Sequence, residues 1–225
     1  MTTAKFLQKI QLSESLYTLW FQPDHKLDFI AGQFTDISLP HSPADERGER
    51  RWFSLSSDPE DEKFSITTRH QADTSSSFKS RFINLRPTDS IQVADVMGDF
   101  VLPKQSNVPI IWIAAGVGIA PFVSMAYSLQ SRSRQGSIGL FWTTSYDETL
   151  PYKKLFEATT NDIAIYDKTV SLAAKDVTSR VSSETLETGL FYLAGPEKFV
   201  ELFRKQLLDK GLPASRIVAD YFSGY

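Results

Sequence analysis

Two short glycine-containing segments are candidates for binding phosphate groups. Gly116 to Pro121 (GVGIAP) follows the apolar run VPIIWIAA and opens a segment with helical spacing. Glycines let the backbone approach a diphosphate, and the free N–H groups at a helix start favour an anion. A tight turn would show the same spacing, but the order strand, turn, helix favours phosphate binding. Leu193 to Glu197 (LAGPE) has the same order and by itself indicates only a loop and a helix start.

A third segment, Arg51 to Ser54 (RWFS), lies within a run that is typical of a β-strand. Strand alternation places Arg51 and Phe53 on one face. A guanidinium there could pair with a phosphate, and a flat aromatic ring could stack on a ring system. The Ser54 hydroxyl could hydrogen-bond a ring nitrogen. Taken alone, however, the tetrapeptide is better explained as an ordinary half-buried strand.

The elements that must position these segments differ between the two halves of the chain. Up to about residue 103, short β-branched and aromatic runs alternate with turn residues, which predicts an N-terminal antiparallel β-barrel with one helix at Ser77–Leu85. From about Asn107, strand-like and helical runs alternate, which predicts a doubly wound parallel α/β domain with five strands. Helices are predicted near residues 120–130, 150–158, 182–186 and 197–210. We expect domains at residues 1–104 and 108–225.

The amino-acid composition excludes several kinds of partner and of reactive site. The chain has 225 residues, 41% of them hydrophobic and 23% charged, and a formal charge of −3, so no basic excess indicates nucleic acid or an anionic membrane as partner. It has no cysteine, which excludes disulfides, thiolate zinc sites and cysteine-ligated iron–sulfur clusters. His25, His41 and His70 are scattered, so we expect no metal site. No signal peptide or membrane span is indicated, and we expect a cytoplasmic protein.

Together, the three segments resemble the ferredoxin–NADP reductase superfamily, which joins a flavin-binding β-barrel to a nicotinamide-binding α/β domain. The resemblance covers essentially the whole chain and rests on five motifs in register. They are Gly32-Gln33-Phe34, Arg51-Trp52-Phe53-Ser54, Gly98-Asp99-Phe100, Gly116 to Pro121, and Ala194-Gly195-Pro196. The family's cysteine before Gly-Pro is Ala194 in this sequence.

The resemblance implies a flavin site in the first domain. Arg51 would pair with the flavin phosphate, Phe53 would stack on the isoalloxazine ring, and Ser54 would hydrogen-bond near N5, the atom that accepts hydride. The other implied flavin contacts are Trp52, Thr68, Arg69, His70, Ser76, Ser77 and Phe222. Two apparent phosphate sites favour FAD over FMN as the cofactor.

The chain's C-terminal residues resemble the acidic-x-aromatic ending of the family. By this resemblance Asp220 joins Ser54 as a catalytic residue, and Phe222 would cover the flavin face that nicotinamide must reach. Tyr225 is the alternative for that cover.

In the second domain the resemblance implies a site for a nicotinamide nucleotide. The implied contacts are Gly116, Val117, Gly118, Pro121, Thr144, Ser145, Gly195 and Pro196. The donor, NADH or NADPH, stays open, because the stretch from Thr143 to Glu148 offers no Arg or Lys for a 2′-phosphate, whereas Arg180 could supply that charge from a later loop.

These features predict a flavin-dependent oxidoreductase that takes hydride from NADH or NADPH and passes electrons to a separate acceptor, such as a ferredoxin, a flavodoxin or an oxygenase component. A group of four basic residues could contact an acidic electron carrier, although an ordinary solvated charged surface is the better explanation for these residues. Its members are Arg47, Arg50, Lys79 and Arg81. The alternative function is a non-catalytic flavin- or nucleotide-binding sensor, or an electron-transfer subunit of a larger complex.

Overall fold

The computed structural model describes residues 1–104, 107–130, 135–145, 152–167 and 172–222. Its contacts divide the chain into two compact units. The first comprises Met1–Val101 and Ala120–Ser128, and the second comprises Leu102–Ile119 and the described chain from Leu129 onward. The domain limits 1–104 and 108–225 remain a prediction, because a division by contacts does not test which segments fold independently.

Six antiparallel strands form the sheet of the first unit. They are β1 (Thr2–Gln11), β2 (Leu16–Pro23), β3 (Phe34–Ser38), β4 (Arg50–Ser54), β5 (Phe64–Arg69) and β6 (Ser90–Val93). Their spatial order is β4-β3-β6-β1-β2-β5. An isolated antiparallel bridge between Leu55 and Ile66 links the chain just after β4 to β5, so the two edges of the sheet approach each other as in a barrel.

The core of the first unit is rich in phenylalanine. Helix α1 (Ser77–Ile83) contributes Phe78 and Phe82, which are four residues apart and therefore share one helix face. Their ring centroids lie 5.6 Å apart, and Phe82 also stacks on Phe21 at 5.6 Å. This packing places the start of α1 next to β4 and β5, where the predicted flavin contacts lie.

Five parallel strands form the sheet within the described part of the second unit. They are β7 (Ile110–Ala115), β8 (Ile138–Thr144), β9 (Asp162–Asp167), β10 (Leu190–Pro196) and β11 (Ile217–Phe222), in the order β11-β10-β7-β8-β9. The strand order reverses between β7 and β10, which makes a topological switch point. Ligands of open α/β sheets bind at the carboxyl ends of strands at such a point. The predicted fold class is confirmed for both halves.

The remaining helices are short or follow strands of the second unit. They are α2 (Ala120–Gln130), α3 (Lys153–Thr159), α4 (Ala174–Thr178), α5 (Ser183–Thr188) and α6 (Glu197–Asp209). Residues 120–128 of α2 belong to the contacts of the first unit, where the Ser124 hydroxyl donates to the carbonyl of Ser57 at 2.7 Å. Across the described ranges, no helix combines the length and apolarity needed to cross a membrane.

Candidate functional site

The Arg51 to Ser54 segment lies in β4, and its side chains alternate as predicted. Arg51 and Phe53 are buried on the face that meets α1, whereas Trp52 is 68% exposed and packs against Phe34, with ring centroids 5.9 Å apart. Ser54 is buried at the end of the strand, directly opposite Phe34 in the neighbouring β3. The guanidinium and the Phe53 ring therefore share one side of the strand, and the Trp52 indole lies on the other.

Backbone carbonyls and an aromatic ring hold Arg51 in place. Its Nη1 donates to the carbonyl oxygens of Arg47 at 2.6 Å, Arg50 at 2.5 Å and Gly48 at 3.4 Å. Its Cζ lies 5.3 Å from the centroid of the Phe78 ring, a cation–π distance. These contacts fix the guanidinium beside the start of α1.

Phe53 is part of the aromatic core rather than a free ring. It is only 8% exposed, and one face stacks on Phe82 at a centroid distance of 5.2 Å and an interplanar angle of 11°. Phe78 lies 6.0 Å away. Stacking on an isoalloxazine ring would need the opposite face of Phe53, and it stays a prediction.

Ser76 and Ser77, the predicted pyrophosphate contacts, are both bonded to protein groups. The Ser76 hydroxyl caps α1 by accepting from the backbone N–H of Lys79 at 3.2 Å. The Ser77 N–H donates to Oδ2 of Asp45 at 2.8 Å, and the Ser77 hydroxyl lies 2.9 Å from His41 Nε2. The Ser77 N–H, and then the Arg47 side chain, lower the pKa of Asp45 to about 2. Sequence reasoning missed this carboxylate, which lies in a loop without a motif.

Four cationic side chains gather beside the start of α1, and we call them the cationic cluster. They are Arg47 from the β3–β4 loop, Arg51 from β4, Arg69 from β5 and Lys79 from α1. Burial, followed by the charges of Arg51, Arg69 and Arg47, lowers the pKa of Lys79. Arg47 pairs with Asp45 at 2.7 Å, whereas the Lys79 ammonium has no hydrogen-bond or ion-pair partner among the described residues. Such a concentration of positive charge suits an anion with more than one charge.

The end of β5 brings the predicted residues Thr68, Arg69 and His70 to the same region. Thr68 is buried, and Arg69 contributes to the cationic cluster. His70 Nε2 lies 3.2 Å from the hydroxyl of Ser80 on α1. Burial, and then the charges of Lys79 and Lys9, lower the pKa of His70, so its ring is neutral at pH 7. Arg69 and His70 therefore lie near α1, and the role of the three residues as flavin contacts stays a prediction.

The basic group suggested as a contact for an acidic carrier is largely paired with carboxylates. The pairs are Arg47–Asp45, Arg50–Asp36 and Arg81–Asp89, with N–O distances of 2.7, 2.5 and 3.1 Å. Exposed pairs of this kind leave little net charge for steering a carrier. The structure thus agrees with a solvated charged surface.

The glycine turn of the second unit sits at the switch point of the parallel sheet. Residues 116–119 form a single 3₁₀ turn between β7 and α2. A Cβ added at Gly118 would lie 2.2 Å from the carbonyl oxygen of Ala194 in β10, and one at Gly195 would lie 3.0 Å from the Cβ of Ala115. Both glycines are therefore needed for the close approach of β7 and β10, independently of any ligand.

The other predicted contacts of this unit lie along the same carboxyl edge of the sheet. The Trp142 indole donates to the carbonyl of Gly116 at 2.9 Å, which ties the turn to β8. Val117 belongs to the 3₁₀ turn, and Pro121 stands in the first turn of α2. The residues that end or follow strands here are Thr144, Ser145, Gly195, Pro196, Asp220 and Phe222. Tyr225, Asp147 and Glu148 lie outside the described residues.

Arg180 lies at the opposite, amino edge of the sheet. Its guanidinium contacts Oδ1 of Asp162, the first residue of β9, at 3.1 Å, and its Cζ lies 5.9 Å from the ring centroid of Phe141. The carboxyl end of the six-residue β9 is about 16 Å away at the usual rise per residue. This position argues against Arg180 as the partner of a 2′-phosphate at the carboxyl edge of the sheet, where the nucleotide is predicted to bind.

Comparison with known proteins agrees with this architecture. Residues 112–205 match the family described as the oxidoreductase NAD-binding domain. Flavohemoprotein A of Dictyostelium discoideum is 22% identical over 96% of this chain and 58% of its own length. The chain thus spans less than three fifths of that relative.

Solved structures resemble the whole chain. The FAD/NAD-binding domain of nitric oxide dioxygenase from Vibrio cholerae superposes with a TM-score of 0.81 at 22% identity, covering 98% of both chains. Ferredoxin NADP+ reductase from Neisseria gonorrhoeae, solved with bound FAD and NADP, gives a TM-score of 0.79 at 19% identity, again covering 98% of both chains. At these identities the likeness establishes the fold.

Proposed function

We propose that this chain belongs to the ferredoxin–NADP reductase superfamily and that it is an NAD(P)H-dependent flavin oxidoreductase. The first unit binds FAD and the second binds the nicotinamide nucleotide. One observation carries the proposal: the chain combines a cationic cluster on an antiparallel barrel with a glycine turn at the switch point of a parallel sheet. The cluster suits a flavin diphosphate, and the turn suits a dinucleotide.

The donor set of the first unit fits FAD. Arg51 and Arg69 would hold the diphosphate, and the Ser54 hydroxyl at the end of β4 would hydrogen-bond the flavin ring. The several cations of the cluster suit the two phosphates of FAD better than the single phosphate of FMN, which favours FAD. When bound, the flavin supplies hydride acceptance and one- or two-electron release. The residues of the chain bind and orient it, and α1 keeps Phe53 rigid on the same side as Arg51.

The donor we propose is NADH rather than NADPH. Recognition of a 2′-phosphate requires a basic partner at the carboxyl edge of the sheet. The sequence has no Arg or Lys between Thr143 and Tyr152, and Arg180 is paired with Asp162 at the other edge. Hydroxyl groups of Thr144 and Ser145 at the end of β8 suit an unmodified ribose.

The electrons pass to an acceptor that is not part of this chain. Ferredoxin, flavodoxin and an oxygenase component are the classes that the superfamily membership suggests. The second candidate function is a flavin-binding subunit or sensor without turnover. Ala194 favours it, because the residue is fully buried in β10 and leaves no thiol where the family has a cysteine.

The visible spectrum of the purified protein, before and after anaerobic addition of NADH or NADPH, tests the proposal. We expect a yellow protein that NADH bleaches faster than NADPH. A yellow protein that neither nucleotide bleaches would favour the subunit or sensor. A colourless protein that takes up neither FAD nor FMN would contradict the flavin assignment.

A further inference from the structure

An exposed apolar surface lies on the first unit, on the side of β4 that faces away from α1. Trp52 is 68% exposed, and its ring centroid lies 5.9 Å from that of Phe34 in β3. Two further apolar side chains are exposed nearby, Met97 by 42% and Ile30 by 56%. We call these four residues the apolar patch. Exposed apolar side chains that are grouped in this way mark interaction sites, whereas scattered ones are ordinary.

Hydrogen bonds around Gly98 bring the members of the apolar patch together. Met97 and Phe34 form an antiparallel bridge, in which the Phe34 N–H donates at 3.0 Å and the Met97 N–H donates at 2.9 Å. The Gln33 side chain accepts from the N–H of Ile30 at 2.8 Å and donates to the carbonyl of Gly98 at 2.9 Å. A Cβ added at Gly98 would lie 2.9 Å from the Phe34 ring. The fold therefore fixes the patch as one surface.

The charged groups around the apolar patch are mostly acidic. The charged residues within two sequence positions of a patch member are Asp28, Asp36, Arg50, Arg51, Asp95 and Asp99. Arg51 is buried on the opposite face of β4, and Arg50 is paired with Asp36. The three other carboxylates are exposed, and that of Asp95 lies 3.6 Å from the N-terminal amine. The rim of the patch is therefore negative.

A buried carboxylate oxygen adds to this negative charge. Asp36 lies directly opposite Trp52 in the sheet, and its Oδ2 accepts from Nη2 of Arg50 at 2.5 Å. Its Oδ1 is buried and receives no hydrogen bond from any residue that the structure describes. The Arg50 side chain is 65% exposed, so solvent screens its compensation of the carboxylate. A carboxylate with one unsatisfied oxygen favours a further cationic neighbour.

The charge around the apolar patch decides between its possible occupants. A second copy of the chain, docked through the same surface, would bring one acidic rim against another, and like charges across an interface oppose binding. An anionic membrane would be repelled for the same reason. A protein with basic side chains around an apolar centre would be attracted. Small contacts of this kind are typical of short-lived electron-transfer complexes.

We propose that the apolar patch docks a protein whose contact surface is apolar at its centre and basic at its rim, and that this protein is the electron acceptor. The inference rests on the proposed function in taking the docked protein to be the acceptor. Trp52 adjoins Phe53 in β4, so the docked protein would lie beside the strand that is predicted to contact the flavin. Each NADH supplies two electrons, which reduce two molecules of a one-electron acceptor, and one proton is released to solvent.

The experiment uses the full chain, with and without FAD, and two protein probes. Cytochrome c is a basic one-electron haem protein, and a plant-type ferredoxin is an acidic one-electron carrier. Isothermal titration measures the affinity for each probe at low and at physiological ionic strength. NADH-driven reduction of each probe, and of ferricyanide, is measured with the FAD-loaded protein. Ferricyanide is a small anion that needs no docking surface.

Three variants change the apolar patch or its rim. Met97→Ser and Ile30→Ser each remove apolar contact area, and Asp99→Asn removes one rim charge. Leu202→Ser and Asp209→Asn make the same kinds of change at exposed positions of α6 and serve as matched controls.

We expect cytochrome c to bind more tightly than the ferredoxin and to lose affinity as ionic strength rises. Met97→Ser and Ile30→Ser should each weaken cytochrome c binding about tenfold, the value of burying one apolar side chain. Asp99→Asn should weaken it about threefold at low ionic strength and less at physiological ionic strength. The controls should bind cytochrome c as wild type does, and ferricyanide reduction should be the same in every variant.

The outcomes separate this inference from the proposed function. If the ferredoxin binds more tightly than cytochrome c, or if Met97→Ser and Ile30→Ser bind cytochrome c as wild type does, the docking surface is overturned, and the flavin function stands if NADH still reduces ferricyanide. If cytochrome c bound through the patch is not reduced while ferricyanide is, the patch binds a basic protein that is not the acceptor, and that part of the proposal is overturned. If cytochrome c binding depends on Met97 but the chain takes up no flavin, the docking surface stands and the flavin function is overturned.

Discussion

Ser77 and Asp45 hold each other through two hydrogen bonds in which each backbone N–H donates to the side chain of the other residue. The Ser77 N–H reaches Oδ2 of Asp45 at 2.8 Å, and the Asp45 N–H reaches the Ser77 hydroxyl at 2.9 Å. Arg47 adds contacts from its guanidinium to the carbonyls of Thr74 and Ser75, each at 3.3 Å. Polar bonds, rather than apolar burial, therefore fasten the β3–β4 loop to the start of α1.

Stability in acid should depend on Asp45. Its pKa is lowered to about 2 from 3.8 in the folded protein. The bonds to its carboxylate therefore stabilise the fold at pH values above the pKa of the unfolded chain, and this stabilisation is lost as pH falls through the pKa of the folded chain. We expect the Tm of wild type to fall between about pH 4 and pH 2 more steeply than that of Asp45→Asn. Thermal unfolding followed by circular dichroism measures this, with exposed Asp73→Asn as the control. Parallel curves for wild type and Asp45→Asn would contradict the prediction.

The contact between Gly118 and β10 should make the glycine turn intolerant of any side chain. Gly118→Ala would place a Cβ against the Ala194 carbonyl, so we expect a loss of about 1–3 kcal/mol in the free energy of unfolding. The matched variant is Gly211→Ala. A Cβ at Gly211 would meet no atom within 4 Å, but the residue has a φ of +89°. Its expected cost of about 1 kcal/mol in the free energy of unfolding therefore comes from backbone strain alone. Urea unfolding measures both. Equal losses would mean that the turn relaxes away from β10.

Arg51 and Ser54 should affect flavin binding and flavin reduction differently. Arg51→Ala removes a buried cation of the phosphate site, so the purified protein should lose most of its flavin. Ser54→Ala should keep the flavin and slow its reduction by NADH about tenfold, the value of one hydrogen bond. Flavin content by absorbance and anaerobic stopped-flow reduction distinguish the two effects. Lys5→Met, at an exposed position of β1, is the control and should change neither quantity.

Donor preference should not depend on Arg180. We expect kcat/KM for NADH to exceed that for NADPH by about tenfold or more, the cost of leaving a 2′-phosphate without a basic partner. Arg180→Ala should leave this ratio unchanged, because the guanidinium lies at the amino edge of β9. Steady-state kinetics with both nucleotides provide the comparison. A selective loss of NADPH activity in Arg180→Ala would place the nucleotide elsewhere on the sheet.

Removing the Lys79 charge should stabilise the flavin-free protein. In the folded state its pKa is lowered from 10.5, so the protonated side chain opposes folding at neutral pH, and this cost is relieved as pH rises through the folded pKa. We expect Lys79→Met to raise Tm near pH 7 by about 2–4 °C, which is about 1 kcal/mol for a chain of this size. The gain should shrink as pH rises. Differential scanning calorimetry at pH 7 and at higher pH measures the change in Tm. The same rise in Tm in the exposed control Lys5→Met would contradict the prediction.

The spacing of apolar residues along the sequence was sufficient to predict much of the architecture. The five strand-like runs of the second half correspond to β7 through β11, and alternation along β4 correctly placed Arg51 and Phe53 on one face. Both results depend on neighbouring residues, whose periodicity the sequence shows directly. The ligand-binding roles of Arg51, Ser54 and the glycine turn stay predictions.

Relationships between distant residues could not be predicted in this way. Asp45 and Ser77 are separated by 32 positions, and no spacing rule relates a loop carboxylate to the start of a later helix. Helix α4, with five residues, is too short to show a helical period. The edge of the sheet on which Arg180 lies depends on strand order and direction, which the sequence near Arg180 does not contain.

The membership of α2 in the first unit has a consequence for how the chain is made. The Phe122 ring packs against Phe100 at 5.6 Å, and Ser124 bonds to Ser57, so the six-stranded barrel meets its last packing partner only after β7 has been translated. During synthesis the N-terminal strands leave the ribosome before that helix exists. Until that helix is made, the face of the barrel that carries Phe100 and the carbonyl of Ser57 lacks the partners that cover it in the folded chain.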